Sequence, residues 1–191
     1  LEEARAAADE RERLVAVGDV ERRFHADFAE AKAARVAIAS GLRDTLPPFV
    51  RLTRPAELEL RVSAAGLLPF ARTVPGASCL IVGPTAAGKT VAMALAFRRL
   101  LAAGVADGGP TWVRAERIRW FDASELARAR RGWPLGQGDP PQFEQACRAS
   151  ILFLDDLGQE RADDGSVRDV LNDRYSKMLP TIASSGMRLT E

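Results

Sequence analysis

Residues 83–90 read GPTAAGKT, set between the apolar run ASCLIV and the helix-forming run VAMALAF. Two glycines, a lysine and a hydroxyl between a strand-like and a helix-like segment satisfy the pattern G-x-x-x-x-G-K-[ST] in the context its chemistry needs. Gly83 and Gly88 let the backbone curl so that successive N–H groups point inward as an anion nest. The helix that starts near Gly88 adds the positive end of its dipole. Lys89 is then expected to reach the β- and γ-phosphates of a nucleotide, and the Thr90 hydroxyl to ligate Mg²⁺. The expected nucleotide-binding set is Gly83, Pro84, Thr85, Ala86, Ala87, Gly88, Lys89, Thr90 and Val91.

A phosphate loop calls for a second element, an apolar strand ending in a carboxylate on the Mg²⁺ side. ILFLDD at 151–156 has that form. Asp155 is the expected metal-side carboxylate, and Asp156 is placed to orient or deprotonate the attacking water. Taken alone, the two acids also fit a turn after any strand; the pairing with GPTAAGKT gives them a role. The expected cofactors are therefore ATP and Mg²⁺, with Lys89 and Asp156 in the catalytic set.

The flanking pattern fits such a site. Ser78–Val82, Arg117–Phe121, Ile151–Leu154 and Thr181–Ser184 read as strands. Between them, Thr90–Ala103, Ala123–Arg131, Gln142–Ala149 and Val167–Met178 read as helices, Asp122 starting the second and Gly104 stopping the first. Strands alternating with helices predict a parallel sheet with helices on both faces, and the unbroken apolar run Ile151–Leu154 predicts a strand covered on both sides. The expected fold class is an α/β P-loop NTPase with a helical amino-terminal extension. Its expected divisions are a helical region over 1–45, a linker and helix over 46–77, and the core over 78–191. The linker is placed at LPPFVRL, where two prolines break the pattern, with Pro55 opening a helix through Ala65.

Composition narrows the surroundings. Of 191 residues, 47% are hydrophobic and 28% charged, an ordinary globular balance, and the net charge of +1 makes no overall case for nucleic acid or membrane. No apolar run reaches the roughly 18–20 residues that span a bilayer, and the charged start LEEARAAADERER does not read as a signal peptide. Cys79 and Cys147 lie in apolar stretches, which suits buried thiols in a reducing cytoplasm better than a disulfide. The single histidine, His25, has no cysteine beside it and gives no reason for a metal site. A chain that lacks an initiator Met and stops at SSGMRLTE reads as a fragment of a longer protein.

Two segments keep alternative readings. In residues 1–40, Leu14, Val17, Val20, Phe24, Phe28 and Ala31 recur at helical spacing. That stripe either packs on the chain's own core or docks a partner or a second copy. In TWVRAERIRW (111–120), Arg114, Arg117 and Arg119 lie beside Trp112 and Trp120. Stacking rings and phosphate-binding charge are the physics of single-strand DNA binding, while strand alternation would leave several of these residues on a solvated face. Phe49 and Val50, upstream of the loop, are positional candidates for adenine contact.

ILFLDDLGQE, the helix ending LNDRYSKMLPTIASSG, and the upstream RWFDASEL together resemble the bacterial helicase-loader ATPases of the DnaC type, which share an AAA+ module with the IstB transposition helpers. The resemblance covers about residues 78–191. It rests on Asp155, Asp156, Leu157, Gly158 and Glu160, then Arg174 and Tyr175, then Pro180, Thr181 and Ile182. It implies an AAA+ ATPase that binds the replicative hexameric DNA helicase and helps place it on single-stranded DNA, in the cytoplasm of a bacterium or its phage. Three departures from the family pattern stand out. Where the family usually shows T-S-N, this chain has Ser184, Ser185 and Gly186, so γ-phosphate sensing moves to Ser184 or, as the catalytic candidate, Ser185. The family's arginine finger and lid normally follow the point where this sequence ends at Glu191; such a finger is worth roughly 10³–10⁵ in turnover, so weak hydrolysis is expected. Amino-terminal cysteines that hold zinc in many members are absent before Cys79, so no zinc is expected. A transposition helper sharing the same site, and a small-molecule kinase reusing GPTAAGKT, are the rival readings.

Overall fold

The computed structural model describes residues 23, 26, 29, 30, 32–34, 36–64, 66, 67, 70, 78–105, 117–134, 136–159 and 165–186. The chain forms two compact units, Leu1–Ala37 and Ile38–Glu191. In the first, the described residues are helical and exposed; the apolar stripe from Leu14 to Ala31 lies outside the described residues, as does His25.

The second unit is an α/β fold in which helices flank a four-stranded, all-parallel sheet. In chain order it comprises α1 (Pro48–Leu52), α2 (Pro55–Ala64), β1 (Cys79–Val82), α3 (Lys89–Val105), β2 (Ile118–Asp122), α4 (Ala123–Arg131), α5 (Pro141–Arg148), β3 (Ile151–Leu157), α6 (Ser166–Ser176) and β4 (Thr181–Ser185). The strand order is β1-β4-β3-β2. β4 therefore separates the strand that leads into GPTAAGKT from the strand that carries the two acids. Because all four strands are parallel, the loop after Val82, Asp122, Asp155 and Ser185 come out at one edge of the sheet, where ligands bind in folds of this kind.

Side-chain alternation divides the core into two layers. Ile81, Ile118, Trp120, Ile151, Phe153 and Ile182 face α1, α2 and α3, whereas Leu152, Leu154 and Ala183 face α4, α5 and α6. β3 is buried on both sides, which is why its sequence is an unbroken apolar run. At the centre of the first layer the Trp120 and Phe153 rings stack with centroids 5.8 Å apart, and Phe97 meets both edge-on at 5.7 and 5.3 Å.

Local chemistry explains the helix starts. Asp122 accepts hydrogen bonds from the backbone N–H of Ser124 at 2.8 Å and of Glu125 at 3.1 Å, so β2 passes directly into α4. Prolines stand in the first turns of α1 and α5, where the missing N–H has no cost.

Three expectations are corrected. LPPFVRL is no linker: Pro48 opens α1, and Leu46 and Val50 are buried in the first layer, while the helix expected from Pro55 is present as α2 with Leu58 and Val62 buried beside them. α3 continues through Gly104 to Val105, so that glycine does not stop it. β3 runs past the apolar residues to Leu157, which puts both acids inside the strand.

Arg174 is fully buried, its guanidinium donating to the carbonyls of Ala146 (2.8 Å), Ala149 (2.6 Å) and Pro180 (2.5 Å) and to Thr181 Oγ1 (2.8 Å). It ties the end of α5 and the end of α6 to the start of β4. Burial lowers its pKa to about 10, so it stays charged at neutral pH. Its neighbour Tyr175 is 82% exposed. Among the described residues, no helix is long and apolar enough to cross a membrane.

Candidate phosphate-binding site

GPTAAGKT forms the turn that joins β1 to α3. Gly83 N–H is bonded to the Ser185 carbonyl at 3.3 Å, which anchors the loop's entry to β4. Ala87 N–H returns to the Pro84 carbonyl at 3.3 Å, and Ala92 N–H to the Gly88 carbonyl at 2.9 Å, where the helix ladder begins. Gly88 has φ +82 and Ala86 φ +64. Glycine adopts that region freely, but for Ala86 it is strained, and such strain collects at ligand clamps. Pro84, Thr85 and Ala86 are exposed, while the side chain of Val91 is packed in the core, leaving only its backbone for a ligand.

Lys89 folds back over its own loop. The residue is only 7% exposed, and its ammonium donates to the carbonyls of Gly83 and Pro84, each at 2.8 Å. An ammonium has three donors. Among the described residues two are taken, which leaves one for an anion lying on the loop.

Thr90 Oγ1 donates to Asp155 Oδ1 at 3.2 Å. Asp155 is buried and also accepts from Ser184 Oγ at 2.5 Å and from Asp156 N–H at 3.2 Å. Burial raises its pKa above the usual carboxylate value and the charge of Asp156 adds to that rise; the bonds from Ser184, Thr90 and the Asp156 backbone oppose it. Ser185 Oγ donates elsewhere, to the Leu157 carbonyl at 2.8 Å. Of the two serines considered for γ-phosphate sensing, Ser184 is therefore the one bonded to Asp155.

The donor set suits a nucleotide-borne Mg²⁺. Such an ion uses one or two protein oxygens and takes the rest from phosphates and water, and the Thr90 hydroxyl and Asp155 carboxylate converge as that pair. Among the described residues no group of three or more His, Cys, Asp or Glu side chains forms a self-sufficient metal site.

A cavity of about 530 Å³ opens beside Asp155, lined among others by Thr45, Pro47, Trp120, Asp122 and Gln142. Sequence reasoning missed it, because its walls come from four separated segments with no shared motif. Of the other candidates, Val50 is buried in the core and unavailable to an adenine, and the Phe49 side chain lies outside the described residues. Trp120 is a core residue, its ring stacked on Phe153. Arg117 is exposed and Arg119 half-buried, while Trp112, Arg114 and Glu160 lie outside the described residues. No family model and no curated protein matches the chain.

Proposed function

We propose that this chain is an ATPase of the AAA+ P-loop type that binds Mg·ATP on GPTAAGKT and hydrolyses it with water held by Asp156. The observation that carries the reading is the approach of Thr90 Oγ1 to Asp155 Oδ1, 3.2 Å apart, beside a buried ammonium with one donor to spare. Bound Mg²⁺ supplies charge neutralisation at the transferred phosphoryl group. The protein's part is to wrap the phosphates in loop N–H groups, to meet their charge with Lys89, and to hold Thr90 and Asp155 on the metal side. Asp156 takes a proton from the attacking water. β4, between the two functional strands, adds support to the AAA+ assignment because it brings the Ser184 hydroxyl up to the acids.

The cellular role that best fits this site and the family resemblance is loading a replicative hexameric helicase onto single-stranded DNA. The helical region before residue 46 is the candidate docking element, because an amphipathic helix is a common groove ligand. A transposition helper would use the same site. The cavity beside Asp155 keeps a small-molecule kinase as a second reading, since a phosphoryl acceptor fits there.

Product analysis separates hydrolysis from transfer. The ATPase reading expects free phosphate from Mg·ATP and water alone, and expects Asp156→Asn to keep nucleotide binding while losing about 10²–10⁴ in turnover, as removal of a general base does. ADP formed only when an acceptor is added, with the phosphoryl group carried on that acceptor and no phosphate set free, would favour the kinase. Co-purification with the replicative helicase, lost on deleting residues 1–37, is expected of a loader; no retention by the full chain sinks that role.

A further inference from the structure

β3 and β4 lose their common register where the two acids lie. Leu154 pairs with Ala183 and Leu157 with Ser185, so three steps along β3 are matched by two along β4. One residue, Ser184, thus stands opposite both Asp155 and Asp156, which is a β-bulge. In an unbroken strand consecutive side chains leave on opposite faces, and the two carboxylates would part. Asp156 instead takes φ +54, a left-handed conformation that disfavours residues carrying a Cβ. Something must hold it there.

The hydroxyl of Ser184 does so from both of its sides. It donates to Asp155 Oδ1 at 2.5 Å and accepts from Asp156 N–H at 3.1 Å. That same N–H also reaches Asp155 Oδ1 at 3.2 Å, closing a small ring of hydroxyl, carboxylate and amide. Ser184 is fully buried, so no water competes for these bonds. On its other flank it pairs with Ile81 of β1, the strand that runs into the phosphate loop.

We infer that Ser184 is a positioning residue for turnover: its hydroxyl pins the bulge that holds Asp156 beside Asp155, without itself binding nucleotide. The inference rests on the phosphate-loop reading of the site. Ser184→Ala removes the pin and a single oxygen, and frees Asp156 to return to an extended backbone.

The test compares Ser184→Ala with Lys89→Ala in the full chain, reading Mg·ATP affinity by titration, turnover, and the nucleotide-free crystal structure of Ser184→Ala. Ser184→Ala is expected to keep affinity within about threefold and to lose at least about tenfold in kcat per bound nucleotide, the mark of an interaction used after binding. Its Asp156 φ is expected to turn negative. A purely structural role would reduce the folded fraction and leave kcat per bound nucleotide unchanged. Ser184→Cys fills the same space with a poorer donor and acceptor, and carries the test if the alanine variant does not fold. Where basal turnover is too slow to divide, the Asp156 backbone decides. Wild-type turnover per bound nucleotide, or an Asp156 that stays left-handed in the variant, overturns the inference while leaving the loop reading intact. Unchanged affinity in Lys89→Ala overturns both.

Discussion

Thr90 Oγ1 donates to Asp155 Oδ1 across 3.2 Å, although 65 positions separate the two residues in the chain. One stands in the first turn of α3 and the other inside β3, two strands away from β1. A hydroxyl and a carboxylate held this close at the carboxyl edge of a parallel sheet suit the protein's share of the phosphate site proposed here.

That arrangement has a cost in the absence of a ligand. Burial raises the pKa of Asp155, so the folded chain holds its proton more tightly than the unfolded chain does. The stability this gives is fully present below the unfolded value of 3.8 and is lost as pH rises through the raised folded value. At neutral pH the ionised carboxylate opposes folding. Asp155→Asn is therefore expected to raise the urea midpoint of the nucleotide-free protein at pH 7, with an advantage that shrinks toward pH 4. A variant less stable than wild type across that range would contradict the account.

Arg174 is predicted to matter for folding and not for nucleotide. Arg174→Leu strands the carbonyls of Ala146 and Ala149, while that of Pro180 keeps its bond from the Leu152 N–H. At about 1–3 kcal/mol for each buried group left unpaired, the loss should be at least about 2 kcal/mol. Urea unfolding measures it, and a wild-type midpoint would show that the staple is dispensable.

Leu58 tests whether α2 belongs to the core. It is fully buried among residues of α1 and α3. Leu58→Ala should lower stability by about 2–5 kcal/mol. A tethering linker would tolerate the change with no shift in the unfolding transition.

Cys147 should be a slow thiol. Burial first, and then the Asp173 charge and hydrogen bond, push its pKa up from 9.0 to about 11. Alkylation follows the thiolate fraction, so at pH 8 Cys147 should react roughly 100-fold more slowly in the folded chain than in urea. Mass spectrometry of the labelled peptide reports the ratio; equal rates would contradict the burial.

The parts of this structure that were legible in the sequence are those whose chemistry is local. Asp122 with Ser124 and Glu125 is a helix start written in three neighbouring residues, and it appears as such. The loop after Val82 and the acids after Leu154 follow from what a phosphate demands of a strand end, and their ends of the sheet do meet. Non-local features stayed hidden. Two prolines at 47 and 48 look like a break, but proline in a first turn starts a helix, and only tertiary packing shows Leu46 and Val50 going inside. Arg174 gave no sign of burial because three of its acceptors are backbone carbonyls, which carry no residue identity. The cavity beside Asp155 was illegible for a similar reason, with its walls drawn from distant segments. The bulge at Asp156 needs a register between β3 and β4 that neither strand specifies alone.

The central claim, that this loop embraces a nucleotide's phosphates, is tested most directly by equilibrium titration of Mg·ATP against the wild-type chain and Lys89→Ala. On that claim Lys89, two of whose donors are taken among the described residues, gives the third to the phosphates, and a charge-assisted bond of that kind is worth about 1.5–3 kcal/mol. Saturable binding by the wild type, weakened at least about tenfold in Lys89→Ala, is the predicted result. No binding by the wild type, or equal affinity in the two proteins, would contradict it.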